Sequence, residues 1–432
     1  MLALAGSVCL LPLLLFLFWE WRAWRVQGTR QRAGCADGAG LQEWVREQRN
    51  VAGFRFAGRL GLLERLRLRA TENGRLRAAF KIDNSLTTAS LSVHKDFLQK
   101  ASWLLRRENR SWDELYSMAQ AFLKAEVETA VKKGQHNLRL AESVRCMVLA
   151  VVLFDSFGVN PASIPRADLV TITNEINKQW LRSKRQPTDA TSSQLLNSAI
   201  ASLNITSPFP GADHAVLSPA EILGLLMPQY ETLWRVVLLT FLTAYHHQPD
   251  AHPDAAQRAA DVPACLGDPN REKEALKLAK EGLRLYPSNK HLYRSSLNPT
   301  PPNTPPVVAA DISALHRHPY IWGGDALAFR PSRFDKGVMT DLQREAYIPF
   351  SVAPHKCPAA GNAFGERMVA VLVVALGRGW GPERGRVVFG GGGGGGGEEL
   401  PTGRDEMEEW VWESDFGGRG LLVDLGCLRL AG

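Results

Sequence analysis

Apolar residues recur every three or four positions through most of the middle of the chain, in Ser111 to Lys132, Ala141 to Phe154, Ala167 to Lys184 and Ser192 to Leu203. That period predicts amphipathic helices, and Pro161, Pro165, Pro187 and Pro208 mark the loops between and after them. Ser218-Pro219-Ala220-Glu221 reads as a capping box with proline at the first helical position, where its missing N–H costs nothing. The helix it opens runs through Leu223, Leu226, Leu233, Val236, Val237 and Phe241 to about Tyr245, apolar nearly all round and therefore buried on most sides. Asp268-Pro269 opens another, with an apolar stripe of Leu276, Ala279, Leu283 and Leu285 that ends before Pro287. Asp311 caps a short helix to Arg317, and a last apolar helix follows the loop around Cys357 and runs to Leu376.

At the N-terminus the pattern changes, since Leu2 to Trp19 carries no charge. As a helix it spans roughly 27 Å, about the thickness of an endoplasmic-reticulum bilayer. Basic residues before the run and a small-residue cleavage site after it are both missing, which excludes a cleaved signal peptide. Trp19, Trp21 and Trp24 suit a membrane interface, and Arg22, Arg25, Arg30 and Arg32 follow. The expectation is an N-terminal transmembrane anchor in the endoplasmic reticulum membrane, single-pass, with the rest of the chain cytosolic. Four segments follow: an anchor over 1–24, a basic, Gly-rich linker over 25–69, a main domain over 70–376, and a divergent, low-complexity tail over 377–432. The eight glycines Gly390 to Gly397 lack the Gly-Lys-Ser/Thr of a phosphate loop, and Asn298 to Pro306 is a proline-rich excursion.

With 45% hydrophobic and 22% charged residues, the 432-residue chain is not of a disordered composition. The net charge of +7 is scattered and accompanies no nucleic-acid motif, so it suits an acidic protein partner or a lipid surface better than nucleic acid. Six cysteines form no Cys-x-x-Cys pair and show no zinc spacing, and His316 and His318 read as surface residues rather than metal ligands.

Cys357 stands apart from the other cysteines. It sits in YIPFSVAPHKCPAAGNAFGERMVAVLVVAL, between a Pro-punctuated loop and an apolar helix. A thiolate in that setting meets backbone donors at a helix start, which favour the anionic sulfur. Upstream, Glu281 and Arg284 lie at i and i+3 on the helix before Pro287 and share a face. Together these segments resemble the haem-binding loop and the ExxR helix of the cytochrome P450 family. Phe350 and Cys357 match the loop pattern F-x-x-G-x-R-x-C-x-G, while Ala353, His355 and Ala359 replace its glycine, arginine and second glycine. Phe329-Arg330-Pro331-Ser332-Arg333-Phe334 resembles the family's P-E-R-F segment, and Pro228-Gln229-Tyr230-Glu231-Thr232 stands where its oxygen-activating motif A/G-G-x-D/E-T is expected. Leu400 to Trp412 is similar to a remnant of its C-terminal hairpin.

The resemblance implies a mainly α fold with a small β region, in a divergent member of a fungal, microsomal type. It implies a haem b held by Cys357 as axial iron ligand, with Phe350, His355 and Lys95 around the cofactor, and Glu281, Arg284 and Arg333 as a structural cluster. Trp103 to Arg107 is a second place that answers to the family's propionate-binding W-x-x-x-R. Glu231 and Thr232 are implied as the proton relay of a monooxygenase. Its electrons come from NADPH through an NADPH–cytochrome P450 reductase, and its substrate is an apolar small molecule. Two alternatives stay open: a haem-thiolate isomerase or peroxygenase that needs no reductase, and a membrane-anchored pseudoenzyme.

Overall fold

A computed structural model of the protein describes residues 38–55, 60–106, 110–185, 193–211, 215–247, 269–295, 307–389, 400 and 402–414. Nine helices of at least nine residues come first among them: α1 (Gly38–Ala52), α2 (Leu62–Phe80), α3 (Leu91–Leu105), α4 (Trp112–Lys132), α5 (Leu140–Phe157), α6 (Arg166–Arg185), α7 (Gln194–Ser202), α8 (Pro219–Leu242) and α9 (Pro269–Leu285). The short α10 (Ile312–Arg317), α11 (Pro319–Trp322) and α12 (Asp341–Ala346) lead to the apolar α13 (Phe364–Trp380), and α14 (Arg404–Met407) follows. The strands are short: β1 (Asn137–Arg139), β2 (His291–Ser295), β3 (Val307–Asp311), β4 (Gly385–Val388) and β5 (Val411–Ser414). They make an antiparallel sheet in the order β1-β5-β4 and an antiparallel pair β2-β3. The fold is mainly α with a small β region.

Helix starts follow the chemistry of the chain. The Ser218 hydroxyl accepts from the Glu221 N–H at 3.3 Å, and the Glu221 carboxylate accepts from the Ser218 N–H at 2.9 Å, so α8 begins where the capping box places it. Asp311 caps α10 in the same way, accepting from the Ala314 N–H at 2.8 Å. Inside α8, Pro228 has no N–H to give the Gly224 carbonyl four residues earlier. Asn84 supplies the missing donor, its Nδ2 reaching the Gly224 oxygen at 2.8 Å.

The main core forms where α13 packs on α4, α8 and α9, and α8 on α5. Val144 to Val152, Leu238, Phe241 and the run Met368–Leu376 lie inside it. The C-terminal segment joins this core: Trp410 and Trp412 are 1% exposed, and Trp412 stacks on Trp380 with ring centres 5.5 Å apart. A second apolar cluster joins Leu41, Trp44 and Val45 of α1 to Ile312, Leu315, Trp322 and Ile348.

Two structural expectations need correction. Among the described residues, the one helical stretch long and apolar enough to cross a membrane is Pro358–Trp380, near the C-terminal end, and more than half of it is buried inside the protein. Its apolar character serves the main core. This overturns the N-terminal transmembrane helix and, with it, the single-pass placement in the endoplasmic reticulum membrane with a cytosolic catalytic domain. The run Leu2 to Trp19 itself lies outside the described residues. The second correction concerns α2, which crosses the expected linker boundary at residue 69. Arginines at 65, 67, 69, 75 and 77 mask its pattern in the sequence, yet Leu66, Leu68, Leu76, Ala79 and Phe80 are buried.

Candidate functional site

Glu281 and Arg284 face one another on α9 with no solvent exposure at either side chain. Arg284 donates through Nε and Nη2 to the two carboxylate oxygens, both at 2.7 Å, the paired geometry in which guanidinium binds carboxylate most strongly. Its Nη1 reaches the carbonyls of His316 and Ala326 at 2.7 Å, and its face lies 5.0 Å from the centre of the Trp322 ring. Arg333 comes within 3.4 Å of the same Glu281 oxygen and donates to the Trp322 carbonyl at 2.7 Å. The Arg330 N–H also donates to Glu281, at 2.9 Å. Glu281, Arg284 and Arg333 are thus one buried cluster that ties α9 to the segment from α10 to Phe334.

From this cluster a chain of hydrogen bonds runs to the cysteine loop. His316 is fully buried, contrary to the surface position expected of it, and its Nε2 accepts from the Ile348 N–H at 2.9 Å. Its ring stacks on Tyr347 at 5.5 Å, and the Tyr347 hydroxyl donates to the Lys280 carbonyl at 3.2 Å. Two residues beyond Ile348, the Phe350 carbonyl accepts from the Cys357 N–H at 2.8 Å, closing the loop on itself. The Phe350 ring covers Gly365, where an added Cβ would come within 2.7 Å of it. Gly53, at the end of α1, braces the other side: a Cβ there would meet the Ala353 carbonyl at 2.9 Å.

Cys357 caps a 3-10 turn, Pro358–Ala363, and not the long helix itself. Asn362 (φ 51°) and Ala363 (φ 53°) break the backbone between that turn and α13. The helix-start donors expected at the sulfur therefore come from this turn. Burial pushes the Cys357 thiol up, while the backbone of Ala359 and the charge of Arg69 pull it down. The side chain is nevertheless exposed. The sulfur thus stands at the surface of the loop, with the backbone of Ala359 and the charge of Arg69 near enough to favour its anion.

Cationic side chains gather near His355 and the cysteine loop. Burial lowers Arg69 to about 10 and Arg294 to about 9, and Arg69 depresses Arg294 further. His355 is held down to about 3, first by burial and then by Arg69, Arg294, Arg65 and His94. His94 is buried, with Nδ1 2.9 Å from the Ser85 hydroxyl, whereas its neighbour Lys95 is exposed. Arg294 lies 4.4 Å from the centre of the Phe54 ring, which meets His355 edge-on at 5.2 Å. Glu72 is the carboxylate that offsets Arg294. The His355 Nε2 and the Nε atoms of Arg65 and Arg294 are buried without hydrogen-bond partners. A thiol beside several under-compensated cations is the donor set for a metal-centred group that carries its own carboxylates, and haem fits it. Arg69, Arg294 and the buried position of His94 are what the sequence reading missed. The signal for Arg69 was the arginine repeat of α2, which reads as a solvated face.

Glu231 and Thr232 are not part of this constellation. Glu231, 2% exposed, pairs with Arg404, whose Nη1 also reaches Asn177 at 2.6 Å. The Thr232 hydroxyl donates to the Pro228 carbonyl at 3.3 Å. A cavity of about 830 Å³ lies elsewhere, between α3, the start of α4 and the end of α5, lined by Trp103, Arg110, Phe154 and Asp155 among others. Among the described residues no group of three or more His, Cys, Asp or Glu side chains is placed to hold a free metal ion.

Comparison with known proteins places these features in context. Residues 277–376, which contain the buried cluster, His316 and the cysteine loop, match the family described as Cytochrome P450. The chain is similar to cytochrome P450 714A2 of Arabidopsis thaliana, 46% identical over 63 residues that make up 14% of this chain and 12% of the relative. Echinocystic acid 23-monooxygenase of Saponaria officinalis is 31% identical over 112 residues, 24% of this chain and 22% of the relative. Benzoate 4-monooxygenase of Aspergillus niger is 40% identical over 63 residues, 15% and 12% of the two chains. These matches cover well under two thirds of the relatives' own length. The fold resemblance is broader: a 6-coordinated cytochrome P450 from Thermus thermophilus superposes over 79% of this chain and 86% of its own, at 17% identity and a TM-score of 0.52.

Proposed function

We propose that this chain, a divergent member of the cytochrome P450 family, is a haem-thiolate monooxygenase that inserts one oxygen atom into an apolar substrate with electrons from NADPH delivered by a reductase. The observation that carries the reading is the Cys357 loop, with Arg69, Arg294 and His94 acting on its His355 and with hydrogen bonds that tie it to the Glu281, Arg284 and Arg333 cluster.

Haem bound at the cysteine loop would supply the dioxygen chemistry that no amino-acid side chain performs. Cys357 would hold its iron, and its thiolate would lend the metal electron density. Arg69 and Arg294 would hold the two carboxylates, with His94 and His355 beside them and Lys95 at the exposed rim. Neutral His355 offers a hydrogen bond to a carboxylate rather than a full charge. The Phe350 ring, pressed on Gly365, would hold the cysteine loop against the start of α13. Proton delivery would fall to Thr232 with Glu231 beside it on α8, where Arg404 pairs with that carboxylate.

Thr232→Ala tests the assignment of mechanism. With reductase and NADPH, the variant is expected to retain haem and NADPH consumption but to divert electrons from product to hydrogen peroxide. One observation favours a second reading, a haem-thiolate isomerase or peroxygenase: Glu231 is engaged by Arg404 and Thr232 by the Pro228 carbonyl. Unchanged coupling in Thr232→Ala, or turnover without NADPH, selects that reading.

A further inference from the structure

We infer that His316 is a positioning residue that holds the cysteine loop in register with α9 through the Ile348 N–H. The inference rests on the haem-thiolate reading for its purpose, but its geometry stands without it.

His316 is fully buried at the end of α10 and touches three parts of the site at once. Its carbonyl receives Arg284 Nη1 at 2.7 Å, which ties its backbone to the buried cluster. Its Nε2 receives the Ile348 N–H at 2.9 Å, so that nitrogen must carry a lone pair and the ring proton must sit on Nδ1. Nδ1 is buried without a hydrogen bond of its own, and the backbone of Arg284 and Leu283, at the end of α9, favours its proton electrostatically. Burial and the Arg284 charge hold the imidazole neutral, with its titration lowered to about 3. Tyr347 stacks on one face of the ring and itself donates back to α9 through the Lys280 carbonyl. The ring therefore spans from the end of α9 to the strand-like segment that leads into Phe350 and Cys357.

A charged imidazole would turn a donor toward the Ile348 N–H, and an apolar ring would leave that buried N–H without an acceptor. Either change frees Tyr347–Phe350 from α9, and Phe350 is the residue whose carbonyl fixes the Cys357 N–H. Glutamine can restore an acceptor at this site without the aromatic stack.

The experiment compares wild type, His316→Phe and His316→Gln as full chains. The first readout is hydrogen exchange at the Ile348 amide. The second is the share of thiolate-type against thiol-type Soret absorption in the reduced carbon-monoxide complex. In His316→Phe, loss of one buried hydrogen bond is expected to speed exchange at Ile348 by roughly tenfold and to shift part of the Soret absorption to the thiol type. His316→Gln is expected to return exchange to within about threefold of wild type. Ile348 exchange in His316→Phe equal to wild type, or Gln no slower than Phe, overturns the inference. If the Phe variant does not fold, the Gln variant decides alone: Ile348 exchange more than about tenfold faster than wild type overturns the inference. If wild type itself carries no haem, the haem-thiolate reading fails while the Ile348 exchange still decides the role of His316.

Discussion

At the scale of single residues, the site depends on charges that are matched in one place and unmatched in another. The Glu281–Arg284 pair is fully buried, and its guanidinium is spent on the two carboxylate oxygens and three backbone carbonyls. Removing one partner of such a pair leaves the other as a buried, uncompensated charge, which costs about 3 to 5 kcal/mol. Arg284→Ala is therefore expected to lower the folded, haem-loaded yield sharply, as read by the denaturant midpoint and by absorbance per protein; a wild-type midpoint would contradict it. The cations at Arg69 and Arg294 are the reverse case, since burial lowers both and Glu72 offsets only part of the effect at Arg294. The sequence made the first group legible because Glu281 and Arg284 share a helix turn and lie a fixed distance before Cys357. It hid the second group because Arg69, Arg294 and His94 come from three separated elements. His316 was hidden too, because a histidine followed by Arg317 and His318 reads as surface until the fold places it over Tyr347.

At the scale of elements, α8 shows how a proline inside a helix is accommodated. Pro228 removes the helical donor for the Gly224 carbonyl, and Asn84, from the loop after α2, replaces it at 2.8 Å. Asn84→Ala is expected to leave that buried carbonyl unpaired and to destabilise the protein by about 1 to 3 kcal/mol. The loss is measurable as a fall in the denaturant midpoint; an unchanged midpoint would mean that α8 meets its need some other way. The capping box, the proline at the helix start and the breaks before Pro287 made most helix boundaries readable from local chemistry. The short strands were less readable, since β1, β4 and β5 come together only through pairings such as Leu138 with Trp412 and Val387 with Trp412. Nothing local to Asn137–Arg139 announces a partner so distant in the chain.

At the scale of the whole molecule, apolar character proved ambiguous: the membrane-length stretch among the described residues is Pro358–Trp380, which serves the main core. Hydropathy alone does not distinguish a core helix from a spanning one. The buried histidines give the fold a definite response to acid. His316 and His355 are held down to about 3 and His246 to about 4, all by burial first, from an ordinary value of 6.5. Below that ordinary value the unfolded chain takes up protons that the folded chain refuses, so stability falls as the pH drops from about 6.5 toward 4. The denaturant midpoint should be lower at pH 5 than at pH 7, and His316→Phe should flatten the decline by one proton; equal slopes in variant and wild type would contradict the burial of His316. The central claim is that Cys357 is the thiolate ligand of a haem, and the most direct test is the spectrum of the purified full chain, reduced and exposed to carbon monoxide, beside Cys357→Ser. The account predicts a red-shifted, thiolate-type Soret band in the wild type that disappears in the variant, because a serine alcohol is a poor replacement for the thiolate. A wild type with no such band, or a Cys357→Ser protein that keeps it, would contradict the account.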